Sequence, residues 1–350
     1  MGGSTNPRLG LLAYSTNTGL GIQTQEFAEH MRPDRILLVD LSKLNHAEQH
    51  SERFRDFECV TTRGFPTERD VEAFLAGLDV VFVCETPLNY NLFSRARRRG
   101  IKTILQPNHE FNDYYQRSNL PLPDLFALPS PWHFDDLPYA NKRLLPVPVA
   151  TEKLRPHEGS NFRRFLHMAG RPAVHDRNGT LETIEAFKRV KCSDATLTVR
   201  VQGRGEEYRA AAEDPRIAID TADIPNYWEA YQGFDCLVLP RKYGGLCLSM
   251  QEALGSGIPV IMTDTSPNSE VLPEKWLTQA TKTGEFMTRA MIDIHTADVA
   301  ALAAKLDELC GLTAAEAEIH FSRARRFRDA WSWDAMKVEY RAVIAEITHG

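Results

Sequence analysis

Residues 243–264, which read YGGLCLSMQEALGSGIPVIMTD, contain a glycine pair followed two turns later by a single carboxylate. Two glycines ahead of a helix let backbone N–H groups approach an anion or a sugar ring, because no Cβ intervenes and positive φ is allowed. Glu252 lies further along the same segment and is expected to point toward the same crevice. A carboxylate there is suited to the adjacent hydroxyls of a ribose. The alternative interpretation is a tight turn followed by a solvated glutamate.

Two arginines stand in a second loop of the same kind. Gly170 and Arg171 end a strand-like run, and Arg177 follows shortly before Gly179, which opens a helix-like run. Guanidinium groups bind phosphate through paired hydrogen bonds and keep their charge, and a helix amino terminus adds partial positive charge. The two arginines are therefore predicted to hold a diphosphate. The alternative is a pair of exposed loop arginines.

A histidine and a glutamate directly follow the strand-like run 101–106, in the sequence PNHEF. At the carboxyl end of a strand, His109 would lie on the rim of a crevice, where an imidazole is suited to proton exchange near neutral pH. Glu110 beside it is expected to bind hydroxyl groups of a ligand or to hold the histidine. A surface or structural role is the alternative for a single loop histidine.

A further glycine-containing loop follows the first strand-like run, Leu9 to Tyr14. Gly19 and Gly21 stand in it, ahead of a helix predicted to begin at Ile22. Strand, glycine loop and helix form the general arrangement that cradles a phosphate. The loop lacks the lysine of a P-loop and the third glycine of the dinucleotide motif, so a simple tight turn is the alternative.

These candidate residues follow apolar strands that alternate with helices, a pattern typical of a parallel, doubly wound sheet. The proline-rich stretch 145–156 is predicted to be a linker, because proline disfavours helices and central strands. A new strand, helix and loop series then begins. The sequence predicts two domains and a final helix, with the bounds 1–150, 151–330 and 331–350. The first-domain strands are predicted at 9–14, 35–41, 79–84, 101–106, 125–128 and 144–149.

The composition excludes several classes of protein. The chain has 350 residues, of which 43% are hydrophobic and 25% charged, as in soluble globular proteins of two domains. A net charge of −6 gives no general attraction to nucleic acid. The six cysteines form no CxxC pair, no run reaches the ~20 apolar residues of a membrane span, and the amino terminus lacks a secretory signal. A reduced, cytoplasmic protein is predicted.

Two other clusters are expected to be structural. The basic run Arg95–Arg99 is more often the solvated face of a connecting helix than a phosphate-binding patch. His46 and His50 have the spacing of a metal-binding pair on a helix, but the segment is polar and offers no third ligand. No metal site is predicted.

The stretch 243–264 resembles the nucleotide-sugar signature of GT-B glycosyltransferases, above all the retaining family 4 enzymes, the glycosyl transferases group 1. Glu252 and the strand 257–260 match the second half of that signature. Gly244 departs from it, because the family has a glutamate there beside the donor sugar, so no side-chain contact is expected from this position. The backbone N–H groups of Gly244, Gly245 and Leu246 are the expected hydrogen-bond donors instead.

The arginine loop resembles the same family. Gly170 and Arg171 match its Gly-Arg pair, whereas Asn178 stands where the family has a lysine. Arg177 is the expected replacement for that lysine, and His175 is the less favoured candidate. The resemblance spans about residues 9–347.

The resemblance implies an α/β protein of two Rossmann-like, doubly wound parallel-sheet domains facing a cleft. The nucleotide-sugar is expected mainly on the second domain and the acceptor mainly on the first. The implied donor-binding residues are Gly19, Gly21, Arg171, Arg177, Gly244, Gly245, Leu246 and Glu252; the implied catalytic residues are His109, Arg171 and Arg177; and the implied acceptor-side residues are Glu110 and Glu85.

The predicted function is transfer of a sugar from a nucleotide-sugar donor to a hydroxyl acceptor, a small molecule or a modified nucleic acid, with retention of anomeric configuration. No cofactor or metal is expected, because arginines and helix starts supply the positive charge. Three alternatives stay open at this point: a nucleotide-sugar epimerase of related fold, a noncatalytic binding module, and a phage-type enzyme that glycosylates nucleic acid.

Overall fold

A computed structural model describes residues 6–16, 18–42, 48–117, 119–171, 175–222 and 224–349. The chain divides into two compact units. The first comprises residues 1–148, a short segment at 288–290, and residues 333–350, which hold the C-terminal helix. The second comprises residues 149–287 and 291–332. The division between the units falls at Pro148/Val149 and again at Ser332/Trp333.

The first unit is built on a seven-stranded sheet with the order β3-β2-β1-β4-β5-β6-β7. Every neighbouring pair is parallel. Apolar runs form β1, β2, β4 and β5, which are buried along almost all of their length, as expected for strands covered on both faces. The strands are β1 (Leu9–Tyr14), β2 (Arg35–Val39), β3 (Cys59–Thr61), β4 (Val80–Cys84), β5 (Lys102–Gln106), β6 (Leu125–Leu128) and β7 (Lys142–Leu144).

Helices connect these strands. A capping box at Thr67 and Asp70 begins α2, so two otherwise unsatisfied backbone amides are bonded. In α10, Tyr340 is buried, and its hydroxyl contacts the carbonyl of Pro146 at 3.0 Å and the side chain of Gln106 at 3.1 Å. The helices of this unit are α1 (Gly19–Met31), α2 (Glu68–Leu75), α3 (Asn91–Arg98) and α10 (Trp333–His349).

The second unit repeats the plan. Its six-stranded sheet has the order β10-β9-β8-β11-β12-β13, and all neighbours are parallel. In both sheets the strand order reverses between two adjacent strands, which are β1 and β4 in the first sheet and β8 and β11 in the second. Doubly wound folds bind ligands at such positions. The strands are β8 (Arg164–Gly170), β9 (Thr196–Val201), β10 (Ile217–Asp220), β11 (Cys236–Leu239), β12 (Val260–Thr263) and β13 (Leu277–Thr278).

An antiparallel hairpin stands apart from this sheet. It consists of β14 (Ala280–Met287) and β15 (Met291–Ala297). The helices of the second unit are α4 (Thr180–Lys188), α5 (Glu206–Ala211), α6 (Leu248–Gly255), α7 (Asn268–Val271), α8 (Val299–Cys310) and α9 (Ala314–Ala330).

The alternating pattern read from the sequence is confirmed as a parallel, two-domain α/β fold. The strand predicted at 144–149 is wrong: β7 ends at Leu144, because Pro146 and Pro148 have no N–H to extend the ladder. A short 3-10 helix, Tyr227–Tyr231, precedes β11. The hairpin was not predicted, since most of β14 is exposed and carries little apolar periodicity.

The structure also describes the basic run at residues 95–99 and the cysteines. Arg95 pairs with Glu68 and Glu72, and Arg99 also pairs with Glu72, so the basic run is partly neutralised by α2. All six cysteines are free thiols. No helix among the described residues is long and apolar enough to cross a membrane. The cytoplasmic location stays a prediction, and His46 of the histidine pair lies outside the described residues.

Candidate functional site

The loops after β8 and β11 meet at the carboxyl edge of the second sheet, where these two strands are neighbours. Gly179, at the start of α4, has φ of 69°, and a Cβ there would lie 2.4 Å from the carbonyl oxygen of Pro240. Only glycine permits this approach. The side-chain amide of Asn178 donates to the carbonyls of Met168 and Ala169, both at 3.0 Å. Asn178 therefore secures the end of β8 and does not take the place of a ligand-binding lysine.

Arg177 lies against the glycine-pair loop. Its guanidinium stands over the ring of Tyr243, 5.2 Å from the centroid, and its Nε donates to the Tyr243 carbonyl at 3.4 Å. The backbone N–H of Lys242 donates to the Arg177 carbonyl at 2.8 Å. Two loops that are far apart in sequence are thus joined. Arg171 is exposed at the start of its loop and makes no hydrogen bond or ion pair with any residue that the structure describes.

Gly244 is flanked by two guanidinium groups. Its φ is 117°, and a Cβ built on it would lie 2.3 Å from Nη2 of Arg177 and 2.6 Å from Nη2 of Arg241. A larger side chain would have to displace both arginines and adopt a backbone conformation that disfavours it. The departure from the family glutamate therefore has a structural counterpart. The guanidinium groups of Arg177 and Arg241 lie close to where the Cβ of a larger residue would be.

Arg241 and Lys242 were missed by sequence reasoning. Arg241 is buried, and its Nη1 donates to the carbonyl of Leu246 at 2.7 Å, which shapes the loop around the glycine pair. Lys242 is also buried, and its Nζ lies 2.8 Å from Glu182 and 3.9 Å from Asp176. Two consecutive basic residues directly after a buried strand, in the sequence LPRK, were the available signal.

Glu252 lies in α6, and its side chain is 8% exposed. Its Oε2 accepts a hydrogen bond from the hydroxyl of Tyr231 at 2.5 Å. Burial, followed by the nearby Glu252 carboxylate, raises the pKa of Tyr231 well above its usual range, so the phenol keeps its proton. Tyr231 therefore orients the carboxylate, and it is a second residue that the sequence did not indicate. The ribose role of Glu252 stays a prediction.

The buried side chain of His167 contacts the strands and the helix that form this edge. Nδ1 of His167 contacts the carbonyl of Val238 at 2.7 Å and must donate to it, so Nε2 accepts from the hydroxyl of Thr180 at 3.0 Å. Burial lowers the pKa of His167 to about 4. A neutral imidazole thus ties β8, β11 and the first turn of α4 together.

At the carboxyl edge of the first sheet, α1 begins at Gly19 and not at the predicted Ile22. Both glycines therefore lie in the first helical turn, not in a loop. Thr18 caps this turn by accepting from the N–H of Gly21 at 3.3 Å. A Cβ on Gly21 would lie 1.9 Å from the carbonyl oxygen of Thr16, so glycine is required for close packing there. Gly19 is exposed, and the donor-binding roles of both glycines stay predictions.

Glu85 follows β4 at the same edge. Its φ is 63°, an uncommon conformation for a residue other than glycine. The side-chain amide of Asn108 donates to its Oε2 at 2.9 Å. The carboxylate is therefore fixed by the loop after the neighbouring strand. Residues held in such conformations cluster at functional sites.

His109 lies within an aromatic cluster. Its ring stacks on His133 with centroids 3.9 Å apart, and Trp132 and Tyr115 contact it at 4.9 and 4.7 Å. Nδ1 contacts the Tyr115 hydroxyl at 3.0 Å, whereas the buried Nε2 has no hydrogen-bond partner among the described residues. Burial, followed by the neighbouring His133, lowers the pKa of His109 to about 4. His109 is therefore neutral at pH 7, and the expected titration near neutral pH is not supported.

Glu110 is buried beside His109. Its carbonyl accepts from the N–H of Arg289 at 3.3 Å, and Nε of Arg289 pairs with Asp113 at 3.1 Å. Arg289 was not singled out in the sequence, because it is remote from this loop along the chain. The first edge thus combines carboxylates with one neutral imidazole.

Residues 163–311 match the family model described as glycosyl transferases group 1. The arginine loop, the glycine pair and Glu252 all fall inside the match. No curated protein sequence matches the chain. The family match supports an enzyme that transfers glycosyl groups.

Solved structures extend the likeness to nearly the whole chain. A glycosyltransferase from Rickettsia africae has a TM-score of 0.71 at 12% identity, covering 98% of this chain and 99% of that one. Sucrose-phosphate synthase from Thermosynechococcus elongatus has a TM-score of 0.66 at 13% identity, covering 97% and 98%. The pneumococcal O-GlcNAc transferase GtfA, solved with UDP and GlcNAc, has a TM-score of 0.56 at 14% identity, covering 80% and 60%. The chain therefore has the GT-B fold, and its residues 163–311 are similar to the glycosyl transferases group 1 family.

Proposed function

We propose that this chain is a retaining, metal-independent glycosyltransferase that moves a sugar from a nucleotide-sugar to a hydroxyl acceptor. The observation that carries the proposal is the convergence of Arg177 and Arg241 on Gly244, at the carboxyl edge of the second sheet. Two cations at a glycine loop are suited to a diphosphate, because guanidinium groups form paired, charge-assisted hydrogen bonds with phosphate oxygens. The solved relative bound to UDP and GlcNAc supports the choice of a nucleotide-sugar.

The diphosphate is the leaving group in such a reaction, and negative charge grows on it as the glycosidic bond breaks. Fixed positive charge is the stabilisation that this step requires. Arg177 is held by Tyr243 and Arg241 by Leu246, so little reorganisation is needed when the charge develops. Arg171 is exposed at the start of the same loop and is proposed to add a third cation when the donor binds. These groups replace a metal ion in the proposal.

Other residues are proposed to bind the ribose and the sugar of the donor. Glu252, oriented by Tyr231, is proposed to accept hydrogen bonds from the ribose hydroxyls. The backbone N–H groups of Gly244, Gly245 and Leu246 are proposed to donate to the sugar or to the diphosphate. Gly19 and Gly21 are proposed to contribute backbone groups from the first turn of α1. Retention of configuration rests on the resemblance to family 4.

The acceptor is proposed to be a neutral molecule with hydroxyl groups that binds the first unit. Glu85 and Glu110 accept hydrogen bonds from hydroxyls and repel phosphates. The unpartnered Nε2 of His109 would bind a further hydroxyl, since buried polar atoms are ordinarily hydrogen-bonded. A nucleic-acid acceptor is disfavoured because Arg95 and Arg99 already pair with acidic residues of α2.

Thermal shifts and turnover across a panel of nucleotide-sugars test this proposal. A donor at 100 times its Kd should stabilise the protein by roughly 2.7 kcal/mol. The stabilising donor should release its nucleoside diphosphate only when a hydroxyl acceptor is added. Epimerisation without acceptor would identify an epimerase, and binding without any turnover would identify a binding module. Acceptor binding that weakens steeply with salt would favour nucleic acid.

A further inference from the structure

The β14–β15 hairpin has one face turned inward and one turned to solvent. Ile292 and Ile294 of β15 are buried, and Phe286 of β14 is the cross-strand neighbour of Ile292. Met287 and Met291, the next pair in the register, are 58% and 47% exposed. Alternation of this kind marks a hairpin that covers part of the protein with one face.

The inward face of the hairpin contacts the glycine-pair loop directly. The ring of Phe286 lies 5.0 Å from the ring of Tyr243, at an interplanar angle of 66°. It also lies 4.9 Å from the ring of His175, in the arginine loop. On the other strand, the backbone N–H of His295 donates to the carbonyl of Lys242 at 3.0 Å. The hairpin therefore contacts both loops that form the candidate donor site.

Tyr243 contacts both the hairpin and Arg177. Tyr243 offers its ring face and its carbonyl to the Arg177 guanidinium. Phe286 packs edge-on against the ring of Tyr243, an orientation that aromatic pairs favour. Tyr243 is half-buried, and its ring position depends on the residues that pack around it. Phe286 and Arg177 therefore both contact Tyr243.

We infer that the hairpin is a wall of the donor-phosphate site and that Phe286 is a positioning residue, which holds Arg177 in place through Tyr243. The inference rests on the proposed function, because it assigns Arg177 to the diphosphate. It predicts that Phe286 acts on affinity for the diphosphate and hardly at all on affinity for the nucleoside.

The test compares the Phe286→Ala variant with the parent by titration calorimetry, using UDP and UMP, with the ADP/AMP and GDP/GMP pairs in parallel. Phe286→Ala should weaken diphosphate binding by about 2- to 12-fold, the range expected for loss of one aromatic pair. Binding of the monophosphate should change less than twofold. Phe286→Tyr, which keeps the ring, should restore the parent values. Met287→Ala is the matched control, since its side chain is the exposed neighbour on the same strand.

Other outcomes overturn the inference. Unchanged diphosphate affinity in Phe286→Ala would show that Tyr243 and Arg177 hold their positions without the hairpin. Equal losses for both nucleotides, or an equal loss in Met287→Ala, would point to general destabilisation instead of positioning. If Phe286→Ala does not fold, Phe286→Leu replaces it, and the same selective loss is required. A parent protein that binds none of the diphosphates would instead remove the proposed function itself.

Discussion

At the carboxyl edge of the first sheet the candidate residues are Glu85, His109 and Glu110, whereas the corresponding edge of the second sheet brings Arg177 and Arg241 to Gly244. With the same order of central strands, the first edge presents two carboxylates and a neutral imidazole, whereas the second presents two guanidinium groups and the carboxylate of Glu252. Carboxylates suit hydroxyl groups, and guanidiniums suit phosphates. The contrast follows the chemistry expected of an acceptor and a nucleotide donor.

The two edges also hold their side chains differently. In the second unit, glycines with positive φ bring loops together, and backbone carbonyls position the arginines. In the first unit, His109 is positioned by aromatic packing against His133, Trp132 and Tyr115. Packing of this kind removes water from the imidazole and keeps it neutral. One fold can thus present either fixed charge or a desolvated neutral group.

Replacement of the neutral His109 is expected to change the rate of sugar transfer more than any other substitution. His109→Ala should reduce sugar transfer by about 10²-fold or more, the usual scale for a positioned polar catalytic group, while donor affinity stays nearly constant. Steady-state turnover with the identified donor and acceptor measures it. Tyr115→Phe is the matched control, because it keeps the ring and removes only the hydroxyl that contacts Nδ1. Turnover of His109→Ala within a few-fold of the parent would assign His109 a structural role.

The second prediction distinguishes Arg177, proposed to bind the diphosphate, from Glu252, proposed to bind the ribose. Hydrogen bonds to charged groups contribute about 1.5 to 3 kcal/mol, so Arg177→Ala and Glu252→Ala should each weaken nucleotide binding by roughly 10- to 150-fold. Arg177→Ala should penalise the diphosphate mainly. Glu252→Ala should penalise the nucleoside monophosphate and diphosphate alike, because it addresses the ribose. Calorimetry with both nucleotides decides between them, and parent-like affinity in Glu252→Ala would exclude its ribose role.

A smaller effect concerns stability and pH. His167 has a folded pKa of about 4, below the value of about 6.5 for an unfolded histidine, so the unfolded chain binds its proton first as pH falls. The stability from neutral His167 is present above about pH 6.5 and is lost as pH falls toward 4. Between pH 7 and pH 5 this loss is about 2 kcal/mol. His167→Gln should lose correspondingly less over that range in urea unfolding; an unchanged pH dependence would mean that His167 is not kept neutral by the fold.

Removal of metal ions is expected to leave turnover unchanged. If Arg177 and Arg241 supply the positive charge that a metal would otherwise provide, turnover should be the same with and without a chelator. The measurement is the rate of nucleoside diphosphate release in EDTA, compared with added magnesium or manganese. Activity lost in the chelator and restored by either ion would transfer the leaving-group role to a metal.

The sequence alone was sufficient to predict the parallel α/β plan of both units, because apolar strands that alternate with helices are visible in local periodicity and pack as a covered parallel sheet. It also located the loops that follow β8, β11 and β5, with Arg177, Gly244 and His109 in them. Local patterns place a residue at a strand end, and strand ends are where such folds bind ligands.

The arrangement of these residues relative to one another depends on long-range contacts in the folded protein. Arg177 meets Tyr243 across 66 residues of sequence, and Phe286 reaches the same tyrosine from a hairpin without a strong apolar pattern. Arg241 and Lys242 adjoin one another, yet one shapes the glycine loop and the other pairs with Glu182. The neutral state of His109 comes from rings that surround it only after folding. Side-chain contact and desolvation depend on residues brought together by the fold, so no local pattern in the sequence specifies them.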